Sequence, residues 1–171
     1  MAGEVAEARH RLEMVRLAIA TNPHFSTADI ELLRSGKSYS IDTIRYFHER
    51  CSDSLFFILG GDAFVEIETW KEFQNLFFLC NFVVMTRPGS QKNTLTSSLP
   101  KSLTHVFHYD KEIGAWIHLS SRTLYFREIT FLDISSTKVR DLIERGESVR
   151  YLIPAEVDAY VKEHGLYQRN R

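Results

Sequence analysis

An α/β fold, with a parallel β-sheet covered by flanking helices, is the class this sequence predicts, and three observations predict it. Two short runs, SLFFILGGD (54–62) and NFVVMTRPG (81–89), are apolar without alternation, the pattern of strands buried on both faces. The segment between them, AFVEIETWKEFQNLFFLC (63–80), is spaced mostly like a helix. Strand, helix and strand in that order are the signature of right-handed βαβ units.

The other elements follow in chain order. Residues 4–21 place Val5, Leu12, Val15, Leu17 and Ile19 among charged residues, which predicts a helix with one buried stripe that stops near Asn22-Pro23. HFSTADIEL (24–32) alternates apolar and polar residues and predicts a short strand, with turn chemistry in RSGKS behind it. Ser40 is the expected cap of a second helix, whose apolar side is Ile41, Ile44, Tyr46 and Phe47. Residues 89–101 are rich in Ser and Thr and read as a surface loop. LTHVFHY (103–109) and the stretch from Arg122 to Ser135 each hold a further strand. A helix opens at Ser135-Ser136-Thr137, and a closing helix has Pro154 at its start and Gly165 just past its end.

At 171 residues, with 44% hydrophobic and 25% charged residues, the chain suits one domain, 1–171, with a sizeable core. A formal charge of −1 gives no basic field to hold a nucleic-acid backbone, so no nucleic-acid partner is expected. Apolar runs such as LFFLCNFVVM reach about half of the roughly 20 residues a bilayer span needs, and the N-terminus is charged rather than signal-like. No membrane partner and a cytoplasmic location are therefore expected. Cys51 and Cys80 have no paired spacing and read as reduced, partly buried thiols.

Ligands of open parallel sheets bind beyond the carboxyl ends of the strands, so the residues there are the candidates. Gly60, Gly61 and Asp62 follow the first apolar run. They admit either a close backbone approach with an acid for ribose hydroxyls, or a tight turn capped by Asp62. Arg87, in Arg-Pro-Gly, follows the second run and is either a ligand fork or a surface ion pair. Ser135, Ser136, Thr137 and Arg140 form either a plain helix cap or a phosphate site made of amides, hydroxyls and a guanidinium. Trp70 is either a stacking platform or core.

Taken together, AEARHRLEMVRLAI, GKSYSIDTI, FFILGGDAF, ETWKEF, NFVVMTRPG, DISSTKVR and YLIPAEVDAYVKEHGLY resemble the bacterial nicotinate-nucleotide adenylyltransferase family, from about Glu4 to Tyr167. The resemblance implies a Rossmann-like, nucleotidyltransferase-type fold. It also implies adenylyl transfer from ATP to nicotinate mononucleotide in NAD biosynthesis, with Mg²⁺, and leaves room for a homo-oligomer. Carried over, Ser136, Thr137 and Arg140 would face the ATP phosphates, with Ile134 and Ser135 near adenine. Asp62 beside Gly60 would contact a ribose, and Arg140 is the supporting catalytic group. Tyr39, Ser40, Trp70 and Arg87 would hold nicotinate mononucleotide, with Asp42 and Thr43 fixing the Tyr39 loop. Gly61 stands where the family has alanine.

The family pattern begins with a strand and a Gly-x-Phe-x-Pro-x-His-x-Gly-His loop that this sequence does not contain. The fold is therefore expected to be incomplete at its N-terminus, with no catalytic histidine, no protein metal ligand and an unpaired apolar sheet edge. His105 and His108 are the only pair of comparable spacing, and inside a strand they would point to opposite faces. Two other readings stay open. One is a non-catalytic nucleotide-binding remnant. The other is a sister enzyme such as pantetheine-phosphate adenylyltransferase, which leaves Trp70 and SYSIDT unexplained.

Overall fold

The computed structural model describes residues 5–51, 54–86, 99–130 and 132–168. Contacts divide the chain into two compact units, Gly36–Phe131 and Met1–Ser35 with Leu132–Arg171.

The first unit is built on a five-stranded sheet. Its elements are α2 (Ser40–His48), β1 (Phe56–Gly60), α3 (Gly61–Val65), a 3₁₀ turn (Ile67–Thr69), α4 (Phe73–Leu79), β2 (Asn81–Thr86), a second 3₁₀ turn (Lys101–Leu103), β3 (Phe107–Asp110), β4 (Ala115–His118) and β5 (Thr123–Glu128). The strand order is β1-β2-β5-β4-β3. β1, β2 and β5 are parallel, as the unbroken apolar runs predict, whereas β3–β4 and β4–β5 are antiparallel. The sheet is thus mixed. Short connections can only return a strand antiparallel to its predecessor. Gly114 (φ 63°) serves the turn between β3 and β4, and Ser121 (φ 64°) the turn between β4 and β5.

Register sets the core. Phe57, Phe82 and Leu124 form one rung across the parallel strands, and Leu59, Val84 and Phe126 the next rung on the same face. Both rungs belong to a cluster with Ile41 and Ile44 of α2, Phe64 of α3, Ile67, and Leu76 and Phe77 of α4. β2 is the buried strand expected. β1 is not: its only neighbour among the described residues is β2, and Phe56 and Ile58 remain 48% and 59% exposed. An apolar run reports what a strand could bury, not how many neighbours it has.

Two buried polar groups join elements distant in sequence. Asn81, 6% exposed, donates from Nδ2 to Leu55 O (3.2 Å) and accepts at Oδ1 from Thr123 N (2.9 Å) and Thr123 Oγ1 (3.0 Å). This ties β2 to the entry of β1 and to the start of β5. His118 packs against Phe78 and Phe107, with ring centroids at 4.7 and 4.9 Å. Its Nδ1 accepts from Ser120 N (3.2 Å), while Ser120 Oγ donates to Phe77 O (2.9 Å). Cys80 is fully buried, which pushes its thiol up to about 12, while Cys51 is exposed rather than partly buried.

The second unit holds three helices: α1 (Ala8–Ile19), α5 (Ser136–Glu144) and α6 (Ala155–Glu163). α1 forms where predicted, but no residue on it is fully buried and Val15 is half exposed. It meets α6 through His10, whose Nδ1 lies 2.9 Å from the Tyr160 hydroxyl. α6 starts after Pro154, and Gly165 (φ 60°) adopts the left-handed conformation that ends it. The strand expected in residues 24–32 does not form; the segment is irregular, with turns at its two ends. Asn22 accepts from His24 N, and the Asp29 carbonyl from Leu32 N and from Leu33 N just beyond, so local polar groups take some of these amides in place of a neighbouring strand. Among the described residues no helix is long and apolar enough to cross a membrane. Most of the expected 89–101 loop lies outside the described residues; Leu99, at its end, is buried in the core of the sheet unit.

Candidate functional site

In the sheet unit the end of β1 carries the glycine pair, with Gly60 opposite Met85 near the end of β2. Gly60 closes β1 in extended conformation and Gly61 opens α3. A Cβ on Gly61 would lie 3.4 Å from the Met85 carbonyl at the end of β2, so the turn passes close to its neighbour but has room for alanine. Asp62 is exposed in the first turn of α3. Arg87 lies outside the described residues.

The mouth of α2 is one residue earlier than expected. Tyr39, extended at φ −113° and ψ 142°, is the capping position, and Ser40 is the first helical residue. The Tyr39 carbonyl takes the amides of Asp42 and Thr43. No side chain caps the helix, and the amides of Ser40 and Ile41 have no partner among the described residues. Trp70 ends the first 3₁₀ turn, half-buried, with its ring edge-on to Phe57 at 6.2 Å and 75°. Trp70 packs against the core and is left partly exposed.

Salt links join the Trp70 loop to α2. Lys71 Nζ is 3.4 Å from Asp42 Oδ2 and 4.7 Å from the centroid of the Tyr39 ring. Arg45 reaches Glu72 at 3.1 Å and Asp42 at 3.6 Å. Glu72 sits in left-handed backbone (φ 52°, ψ 37°), and hydrogen bonds from Asn75 and Arg45 hold its carboxyl below the usual range. The structure thus brings Tyr39 to Lys71, the residue after Trp70. Sequence reading missed Lys71, Arg45 and Glu72, whose only signal is a surplus of charge around an aromatic.

In the helical unit Ser135 caps α5 as expected, accepting from Lys138 N at 3.2 Å. Ser136 and Thr137 form its first turn, and Ile134 is 43% exposed just before the mouth. Arg140 donates to Thr137 Oγ1 at 3.3 Å, which folds the guanidinium back toward the helix start, and its Nε is buried without a partner. Arg140 also lines a cavity of about 380 Å³ with His10, Glu144 and Gln168. The cap and a guanidinium with an unpartnered buried Nε therefore share the first two turns of α5.

His105 and His108 are exposed, the first in a turn and the second on β3, so they form no motif. Among the described residues no three His, Cys, Asp or Glu side chains converge to hold a metal.

Comparison with known proteins decides the family. Residues 2–142 match the cytidylyltransferase-like family model. A probable nicotinate-nucleotide adenylyltransferase of Citrifermentans bemidjiense is 44% identical over 168 residues, covering 98% of this chain and 77% of the relative. The chain belongs to the nicotinate-nucleotide adenylyltransferases. A relative of the same name from Geotalea daltonii is 44% identical over 173 residues, covering 100% of this chain and 79% of its own length. Among solved structures, the nicotinic acid mononucleotide adenylyltransferase of Plasmodium falciparum complexed with NaAD matches at TM-score 0.64 and 18% identity, over 96% of this chain and 76% of that one. The same enzyme complexed with APC matches at TM-score 0.61 and 18% identity, over 95% and 77%. These likenesses bear out the nucleotidyltransferase type of Rossmann-like fold.

Proposed function

We propose that this chain transfers the adenylyl group of ATP to nicotinate mononucleotide, giving deamido-NAD and pyrophosphate in NAD biosynthesis. The observation that carries the reading is the uncapped mouth of α2, where the Tyr39 ring lies 4.7 Å from the ammonium of Lys71, the residue after Trp70. Helix amides without partners among the described residues suit an anionic group, and a half-buried indole suits a flat heterocycle.

In the reaction an oxygen of the mononucleotide phosphate attacks the α-phosphorus, and the bond to the bridging oxygen of pyrophosphate breaks. Such transfers need positioning and charge stabilisation more than covalent help. Arg140 and the α5 amides suit the phosphates, with Ser136 and Thr137 as donors and the backbone of Ile134 and Ser135 toward adenine. Asp62 suits a ribose hydroxyl, which the nearby Gly60–Gly61 backbone leaves accessible. Tyr39, Ser40 and Trp70 take the pyridine ring and its carboxylate, and Arg87 is assigned to the mononucleotide by resemblance.

Mg²⁺ fits this donor set as an ion carried on the nucleotide's phosphates, since Mg²⁺ is commonly held by phosphates and water with few protein oxygens. When bound it neutralises charge on the triphosphate. A cytoplasmic location and exclusively small-molecule substrates complete the proposal.

The test is pyrophosphate release from ATP and nicotinate mononucleotide with Mg²⁺, for this chain and for a version extended upstream by a His-x-Gly-His segment. Release by either supports the reading. Absence of release in both, with the protein folded, refutes it.

A further inference from the structure

Lys71 has no role in the reading above, yet two partners fix where its ammonium sits. Both belong to the mouth of α2: the Tyr39 ring, 4.7 Å away, is the residue before the helix, and Asp42, 3.4 Å away, is in its first turn. Asp42 complements the helix dipole but is the wrong charge to meet an arriving carboxylate. Arg45 can offset it only in part, because Arg45 lies 3.6 Å from Asp42 and is drawn closer, to 3.1 Å, by Glu72. Two carboxylates and two cations balance here only while Lys71 is charged.

We propose that Lys71 is a specificity-determining residue. Its ammonium cancels Asp42 at the α2 mouth, so a pyridine mononucleotide bearing a carboxylate is bound in preference to one bearing a carboxamide. This rests on the reading that the α2 mouth and Trp70 receive the pyridine ring. A carboxamide is neutral, so its binding is insensitive to the local charge balance, and only the carboxylate form should respond to loss of the lysine.

Calorimetric titration of the full chain with nicotinate mononucleotide and, separately, nicotinamide mononucleotide tests this without requiring turnover. Lys71→Met is expected to weaken the nicotinate form about tenfold and to change the nicotinamide form less than about twofold, the scale of one charge acting at a partly solvated site. Lys71→Arg should keep the preference. Adding Asp42→Asn to Lys71→Met should recover most of the lost affinity, because the uncompensated carboxylate is then gone. Equal weakening of both ligands would mark a merely structural lysine and overturn the inference. An unchanged ratio in Lys71→Met, with the wild type preferring the nicotinate form, overturns it alone. A folded wild type that binds neither mononucleotide overturns the functional reading, and this inference with it.

Discussion

Replacing Asn81 by alanine should destabilise the sheet unit by about 2–4 kcal/mol. The side chain makes three hydrogen bonds from a site only 6% exposed, one to Leu55 O and two from Thr123. Loss of the bond to Leu55 costs little beyond the bond, about 0.5–1.5 kcal/mol, because that carbonyl still accepts from Asn81 N at 2.8 Å. Loss of Oδ1 is more serious. It strips the partly buried Thr123 amide of its acceptor at the start of β5, and orphaning such a donor costs up to about 1–3 kcal/mol. The Thr123 hydroxyl can rotate to find water and adds little. Urea unfolding monitored by far-UV circular dichroism measures the difference, and a double-mutant cycle with Thr123→Val isolates the hydroxyl's share, expected below about 1 kcal/mol. A total loss under about 1 kcal/mol for Asn81→Ala, with an unchanged denaturant slope, would refute the argument that this amide staples three strands.

Burial holds the His118 imidazole below its ordinary range, so the unfolded chain binds its proton first as pH falls. Stability should be fully present above the unfolded value near 6.5 and decline below it, by up to about 1.4 kcal/mol per pH unit, until the folded value is reached. His118→Gln, which does not titrate, should flatten that part of the stability profile, and an unchanged slope would remove His118 as its source. Ile58→Lys, on the exposed face of the edge strand, should change unfolding free energy by less than about 0.5 kcal/mol and slow aggregation in light-scattering assays. A large loss of stability would mean that Ile58 is covered in solution. Gly61→Ala should be neutral or stabilising, by up to about 0.5–1 kcal/mol, since its backbone is ordinary helix and the nearest atom leaves room for a methyl group. Destabilisation beyond about 1 kcal/mol would show that the Met85 carbonyl cannot yield.

What the sequence discloses is what a residue and its near neighbours decide. The β1 and β2 runs, the Ser135 cap and the Pro154–Gly165 frame of α6 are local chemistry, and each appears where its chemistry requires. HFSTADIEL shows the limit of that rule. Alternation marks a segment able to be a strand, but a strand exists only when a neighbour takes its amides, and here Asn22 and the Asp29 carbonyl take some of them first. The exposed β1 is the converse, a strand whose composition promises two covered faces and whose position supplies one. Candidate site residues follow the same division. Trp70, Asp62, Ser135 and Arg140 could be named as candidates from the sequence because each sits where local chemistry allows a ligand role beside a structural one. Lys71 and Arg45 were not, because each acquires meaning from a carboxylate 29 or 27 residues away, Asp42 for one and Glu72 for the other. A charged residue's own neighbours in sequence say that it is solvated; only its neighbour in space says which ligand charge it would favour.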